Sequence, residues 1–119
     1  MRHHHKGRSF GRPMNQRTAL LRSLARSLIL HETISTTEAK ARELRPVIEK
    51  LVSHARVDSV ANRRLVSSRL GGDDEATKKI FSEIAPRYAT RNGGYTRIVK
   101  RPISITANDG RKNAYIAFV

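Results

Sequence analysis

Residues 31–44 read HETISTTEAKAREL, and the pattern changes halfway through this stretch. Its first half is rich in β-branched residues, which fit an extended backbone, so we predict a short strand over 31–37. Thr36 or Thr37 then offers a side-chain oxygen as the N-cap of a helix, and Glu38 is favourable beside the positive end of that helix. The stretch therefore predicts a strand that leads directly into a helix.

Two long helices are predicted from apolar residues that recur at helical spacing. The first covers about 16–30, with Asn15 as its N-cap, and the second follows the capping threonines and ends near Arg56. The second contains Pro46, which lacks a backbone N–H and clashes with the preceding turn. We therefore expect a kink or a broken turn inside it.

Two shorter helices and a pair of strands are predicted further along the chain. Asp58 is the expected cap of a third helix, and a fourth starts at Asp73 or Asp74. Strong turn and strand signals then follow. The predicted ranges are 59–70 and 73–86 for the helices, 95–105 and 113–119 for the strands, and 108–110 for the turn between the strands.

The composition indicates a polyanion as the partner. The 119 residues include 24 Lys plus Arg against 10 Asp plus Glu, a formal net charge of +14, and no cysteine. Such a charge repels itself in a compact state and attracts nucleic acids or anionic membranes. The absence of cysteine excludes disulfides and thiolate metal sites. No apolar run approaches a membrane span and no secretory signal is evident, so we expect a cytoplasmic protein with no membrane partner.

The basic residues are concentrated at the start of the chain. The first 31 positions contain no acid, and their Lys and Arg residues are Arg2, Lys6, Arg8, Arg12, Arg17, Arg22 and Arg26. Glycines and a proline interrupt residues 1–14, which we interpret as a basic arm that orders only on a polyanion. Residues 15–119 are expected to form one compact domain.

A second basic segment without acids lies between Ile84 and Asn108. Within it, residues 91–97 read RNGGYTR. These residues form either a turn that uses glycine for a positive φ angle, or a small platform for RNA. In the platform, Arg91 and Arg97 supply charge, Tyr95 supplies stacking, and the polar neighbours supply hydrogen bonds. Composition alone supports both interpretations equally.

Catalysis and metal binding are not supported by the sequence. Most acids occupy helix starts or helix surfaces, where capping and ion pairing account for them. The run His3-His4-His5 does not converge on one ion when the chain is extended, and no phosphate loop is present. We therefore expect no enzyme activity, no metal and no cofactor.

Segments along nearly the whole chain resemble the bacterial large-subunit ribosomal protein number seventeen family. They share its order and spacing, and they are MRH at 1–3, GR at 7–8, SL at 27–28, HE at 31–32, TT at 36–37, KARELR at 40–45, DSVANRRL at 58–65, PR at 86–87, GGYTRI at 93–98 and AYI at 114–116. The resemblance implies an α+β fold with helices packed on a small mixed sheet. It also implies binding to the large (23S-type) ribosomal RNA and to neighbouring large-subunit proteins near the nascent-chain exit.

The resemblance favours the RNA interpretation of the glycine segment. Together with the charge pattern, it predicts RNA contacts at Arg2, His3, Lys6, Gly7, Arg8, Arg12, Arg17, Arg22, Arg91, Gly93, Gly94, Tyr95, Thr96 and Arg97. Two rival functions fit the charge less well. A nucleoid-type DNA architectural protein would need exposed apolar wedges, and an RNA-processing enzyme would need a positioned catalytic set.

Overall fold

The computed structural model describes residues 10–11, 13–101 and 112–119, and these residues form an α+β fold. The elements in chain order are α1 (Met14–His31), β1 (Thr33–Thr37), α2 (Glu38–Ala55), α3 (Val60–Arg69), α4 (Asp74–Lys79), a π-helical turn (Ile80–Ile84), a 3-10 turn (Ala85–Tyr88), β2 (Thr96–Lys100) and β3 (Asn113–Phe118). Across these ranges, every helix is too short or too polar to cross a bilayer.

The sheet has three strands in the order β1-β3-β2. Its register aligns Ile34 with Ile116 and Ile116 with Ile98. The predicted α+β class is confirmed. The predicted mixed sheet is wrong, because both outer strands run antiparallel to the central strand β3. Side chains alternate between the faces of a strand, and one face of the sheet packs against α2.

Helix α2 is the scaffold of the molecule because it contacts α1, α3 and all three strands. Its residues Leu44, Ile48 and Val52 are fully buried and meet Leu28 of α1 and Ile116 of β3 in one hydrophobic core. Burying a side chain of this size contributes about 1.5–3 kcal/mol. The loops next to β2 and α2 are therefore attached to elements that pack in this core.

Two of the predicted helix caps are wrong. Helix α1 already begins at Met14 after Pro13, and Asn15 lies inside its first turn, where its Oδ1 accepts from the N–H of Gln16 at 2.9 Å. In α3 the cap is Ser59. A cap needs an extended backbone and an oxygen that reaches forward to the N2 or N3 amide. Asn15 lies two positions after the observed cap, and Asp58 lies one position before it.

The structure shows what Ser59 and Asp58 do at the start of α3. The Ser59 Oγ accepts from the N–H of Asn62 at 3.1 Å, which satisfies one free donor of the first turn. Both carboxylate oxygens of Asp58 instead accept from Arg63, at 2.6 and 2.8 Å. That hydrogen bonding lowers the pKa of Asp58.

The other element boundaries agree with the sequence in outline. Thr37 caps α2 by accepting from the N–H of Lys40 at 3.3 Å, and Asp73 caps α4. Helix α2 continues through Pro46, so of the two expected outcomes the broken turn is wrong and the kink stays a prediction. The exposed side of the helix carries this proline, where water can solvate the backbone carbonyl left without a donor.

The predicted strands are shorter in the structure. Strand β1 begins at Thr33 because Glu32 has a φ of 65° and turns the chain after α1. Strand β2 begins at Thr96 rather than at Tyr95. The end predicted for this strand and the turn predicted at 108–110 lie outside the described residues.

Candidate nucleic-acid interface

The segment RNGGYTR leaves the 3-10 turn and enters β2. Its first four residues form an open loop in which Arg91, Asn92 and Gly94 are exposed. Gly94 has a φ of 64°, a conformation that side-chain-bearing residues rarely adopt. A Cβ atom added at Gly93 or Gly94 would meet nothing within 4 Å. The open space outside this loop therefore lets another molecule approach the backbone closely.

Tyr95 anchors the loop from below. Its ring is fully buried and packs against the ring of Tyr88, with 5.2 Å between the centroids. Its hydroxyl donates to the carbonyl of Arg91 at 3.2 Å and accepts from the Arg56 guanidinium at 3.1 Å. A stacked base needs an exposed ring face, and the Tyr95 ring offers none in this conformation. The predicted RNA contact of Tyr95 stays a prediction.

Thr96 is also an internal support. Its side chain is only 3% exposed, and its Oγ1 donates to a carboxylate oxygen of Glu49 at 2.8 Å. Arg45 donates to the same oxygen at 3.3 Å, so the carboxylate is paired on two sides. The Thr96 side chain therefore fixes the start of β2, and its predicted contact with RNA stays a prediction.

A polar stripe on α2 holds the loop, and the sequence predictions did not include it. Its members are Arg45, Glu49 and Ser53, together with Arg56 directly after the helix. Besides binding Tyr95, Arg56 donates to the carbonyl of Ala89 at 3.0 Å, and the hydroxyls of Ser53 and Tyr95 lie 3.3 Å apart. Residues spaced by three or four share one face of a helix. That spacing was the signal that could have identified the stripe.

We call residues 91–97 the glycine loop. The two arginines predicted in it remain on the surface. Arg91 is exposed at the beginning of the loop, and Arg97 is exposed on the outer face of β2. Along this segment Arg91, Gly94 and Arg97 are thus exposed and Gly93 is partly exposed, whereas Tyr95 and Thr96 are buried. A guanidinium is a planar donor that suits phosphate oxygens.

The arginines predicted on α1 lie at a different place. Arg17 and Arg22 are half-buried, and Arg22 lines a cavity of about 360 Å³ between α1, α2 and α3, together with Lys50 and Arg69. A Cβ atom on Gly71 would lie 2.8 Å from Cδ of Arg22, so the glycine makes room for this side chain. The cavity is a second basic surface, separate from the glycine loop.

Helix α2 separates the two basic surfaces. Its stripe around Glu49 faces the glycine loop, whereas Val47 and Lys50 face the cavity. Six predicted contact residues lie outside the described part of the chain, and they are Arg2, His3, Lys6, Gly7, Arg8 and Arg12. The described residues contain no group of three His, Asp or Glu side chains that could hold a metal ion.

The acidic residue Glu32 is paired with basic side chains from the elements that precede the loop. Glu32, which follows α1, accepts a hydrogen bond from Arg87 and lies 3.5 Å from the ammonium of Lys79. The hydrogen bond from Arg87 lowers the pKa of Glu32, so this carboxylate stays ionised and neutralised by its partners. Burial raises the pKa of Tyr88, whose neutral hydroxyl donates to the carbonyl of Val119 at 2.6 Å.

Comparison with known proteins gives a full-length relationship. A sequence model of the family described as Ribosomal protein L17 matches residues 20–119, which include the glycine loop, α2 and the sheet. The chain is 50% identical over 119 residues to the large ribosomal subunit protein bL17 of Hydrogenobaculum sp. (strain Y04AAS1), covering 100% of this chain and 99% of that protein. The chain therefore belongs to the ribosomal protein L17 family.

Proposed function

We propose that this protein is a structural component of the large ribosomal subunit and binds large-subunit ribosomal RNA. It acts by anchoring RNA, with no catalytic step. The supporting observation is the glycine loop, which presents two exposed arginines and open backbone above a buried support. A preorganised loop loses little conformational entropy when it binds.

The charge pattern supports folded RNA as the partner. Phosphate contacts from arginines and backbone amides position a protein on nucleic acid without reading its sequence. Shape and phosphate recognition of this kind is typical of proteins that bind folded RNA. In this proposal, residues 1–14 are a basic arm that follows the RNA, and residues 15–119 are the compact body that carries the glycine loop.

The same proposal places the protein on the cytoplasmic ribosome. Family membership supports an association with large-subunit RNA and with neighbouring large-subunit proteins. We place those neighbours near the nascent-chain exit, as the resemblance of the sequence implies. The protein should then be present at one copy per purified large subunit, whereas recovery with the nucleoid would favour a DNA-binding role instead.

The loop is tested with a double variant, Arg91→Gln with Arg97→Gln. We expect its affinity for 23S-type RNA to fall about tenfold, because two charge-assisted contacts are removed. Incorporation of the tagged protein into large subunits in growing cells should fall in competition with the wild type. Filter binding and quantitative mass spectrometry measure the two effects.

A matched control removes the same charge elsewhere. Arg42→Gln with Arg63→Gln also lowers the net charge by two, but these arginines are already paired with Glu38 and Asp58. The control should bind 23S-type RNA almost as well as the wild type. Equal weakening by both double variants would show that only total charge matters, and the proposed role of the loop would then be wrong.

A further inference from the structure

In the described part of the chain, the outer face of the sheet is largely exposed and has a regular composition. Alternation along the strands places nine side chains on this face. In three rows across β1, β3 and β2, they are Thr33, Ala117 and Arg97; Ser35, Tyr115 and Val99; and Thr37, Asn113 and Arg101. Arg101 follows β2 and extends the last row, since its N–H donates to the carbonyl of Asn113 at 2.9 Å. None of the nine is acidic.

Tyr115 lies at the centre of this face. It is 41% exposed, whereas Tyr88, Tyr95 and Phe81 are at most 8% exposed. Its neighbours in the same row, Ser35 and Val99, have short side chains, and the longer Arg101 reaches its ring from the next row. An exposed tyrosine on an open sheet surface, beside residues that leave its ring accessible, is the arrangement on which unpaired bases stack.

Two arginines accompany the ring. The guanidinium carbon of Arg101 lies 4.9 Å from the Tyr115 centroid, and Arg101 also donates to the Ser35 Oγ at 2.7 Å. Tyrosine rings and guanidinium planes both accept stacked bases, so this pair forms one stacking surface. Arg97 lies in the row at the other end of the face, where it also belongs to the RNGGYTR segment.

The size and charge of the face favour a nucleotide over a folded protein. Three strands about 4.8 Å apart and rows about 6.6 Å apart give a surface of only about 10 by 13 Å. A stable protein interface buries about 800 Å² on each partner, several times this area. One or two unpaired bases fit it, and both charged side chains on it are cations.

We propose that this face binds an unpaired nucleotide of RNA. The base stacks on Tyr115 and Arg101, and Arg97 binds a phosphate of the same strand. The site extends the RNA path from the glycine loop onto the sheet through Arg97. It rests on the proposed function for the class of partner, but the stacking of a base on Tyr115 and Arg101 does not depend on the glycine loop.

The test compares single-stranded and double-stranded probes. A fluorescein-labelled 12-nucleotide oligo(U) and a 12-base-pair RNA duplex are titrated with the full-length wild type, Tyr115→Leu and Tyr115→Phe. Loss of one base–aromatic stack should weaken oligo(U) binding by Tyr115→Leu about tenfold. Tyr115→Phe keeps the ring and should bind oligo(U) within about twofold of the wild type. Duplex binding should be the same for all three proteins.

A second measurement does not depend on the folding of a variant. Nitration of Tyr115 by tetranitromethane is followed in the wild type by peptide mass spectrometry, with and without saturating oligo(U). Protection should be at least threefold at Tyr115. Equal nitration rates, no oligo(U) binding by the wild type, or equal losses of oligo(U) and duplex binding in Tyr115→Leu would each overturn the proposal.

Failure of the sheet site is distinguishable from failure of the proposed function. If Tyr115→Leu binds oligo(U) normally and the protein is still found at one copy per large subunit, only the sheet site is wrong. If the variant instead binds oligo(U) normally but is lost from large subunits, the face contacts a ribosomal protein, and the RNA site is again overturned. Absence of the wild type from large subunits would contradict the proposed function itself.

Discussion

At the scale of single residues, substitutions at Gly93 and Gly94 distinguish effects on stability from effects on RNA binding. A side chain at Gly93 would meet no atom of the protein within 4 Å, and this glycine is not in the left-handed region. Gly93→Ala should therefore change the free energy of unfolding by less than about 0.5 kcal/mol. If RNA approaches the backbone here, as proposed, the affinity for 23S-type RNA should fall at least fivefold. Urea denaturation and filter binding provide the two measurements.

Gly94→Ala is the comparison, since the φ of 64° at Gly94 makes any side chain strained. That variant should lose about 1 kcal/mol of stability. A Gly93→Ala protein that is stable and binds RNA like the wild type would show that RNA does not closely approach this glycine.

Tyr95 and Tyr115 show how far single residues can be predicted from sequence. Both tyrosines lie in or beside a basic strand segment, and the sequence favoured Tyr95 for stacking because glycines and arginines surround it. The structure buries Tyr95 under α2 and exposes Tyr115. Whether a strand residue faces the core depends on the register of the sheet and on which of its faces a helix covers. The composition of the neighbouring sequence specifies neither the register nor the covered face. Arg91 and Arg97 are exposed, and their predicted contacts with RNA stay a prediction.

At the scale of elements, Glu32 connects the end of α1 to the turns that precede the glycine loop. Its carboxylate binds Arg87 of the 3-10 turn and lies near Lys79 of α4. The hydrogen bond from Arg87 lowers the pKa of Glu32 in the folded state. The stability from this pairing is therefore present above the unfolded pKa of about 4.3, and it is lost as the pH falls through the lower folded value.

Glu32→Gln should consequently be less stable than the wild type at pH 7, and the difference should narrow as the pH falls below about 4.3. The carboxylate is 35% exposed, so solvent screening keeps the effect at pH 7 below about 1 kcal/mol. Thermal unfolding monitored by circular dichroism from pH 3 to 7 measures it. Glu83→Gln, a change at another exposed carboxylate, is the control. A constant difference between Glu32→Gln and the wild type across this range would contradict the ion-pair explanation.

The elements themselves were largely predictable, and their ends were not. The stretch at 31–44 contains both a strand signal and a helix cap, and the structure has β1 and α2 there, with Thr37 as the cap. Asp58 and Ser59 are both good caps by type, so the choice between them depends on backbone angles and on the pairing of Asp58 with Arg63. Strand direction in the sheet depends on contacts between distant segments, which local patterns do not specify.

At the scale of the whole molecule, α2 holds the glycine loop on one side and lines the basic cavity on another, while the sheet presents a third basic surface. If the protein binds RNA as proposed, its net charge of +14 makes electrostatics the main source of attraction. Charge contacts and stacking contacts nevertheless respond differently to salt, because only charge contacts release condensed counterions from RNA. The salt dependence of binding can therefore assign each surface to one kind of interaction.

If the protein neutralises about six phosphates, the logarithm of its affinity for 23S-type RNA should fall with the logarithm of salt concentration at a slope of about −4 to −5. Removing residues 1–14, or substituting Arg91 and Arg97, should make the slope shallower by about 1 or more, because phosphate contacts are lost. Tyr115→Leu should lower the affinity equally at every salt concentration and leave the slope unchanged. Filter binding between 50 and 300 mM KCl measures these lines. A shallower slope for Tyr115→Leu would mean that the tyrosine acts by placing Arg97 or Arg101 on phosphate rather than by stacking on a base.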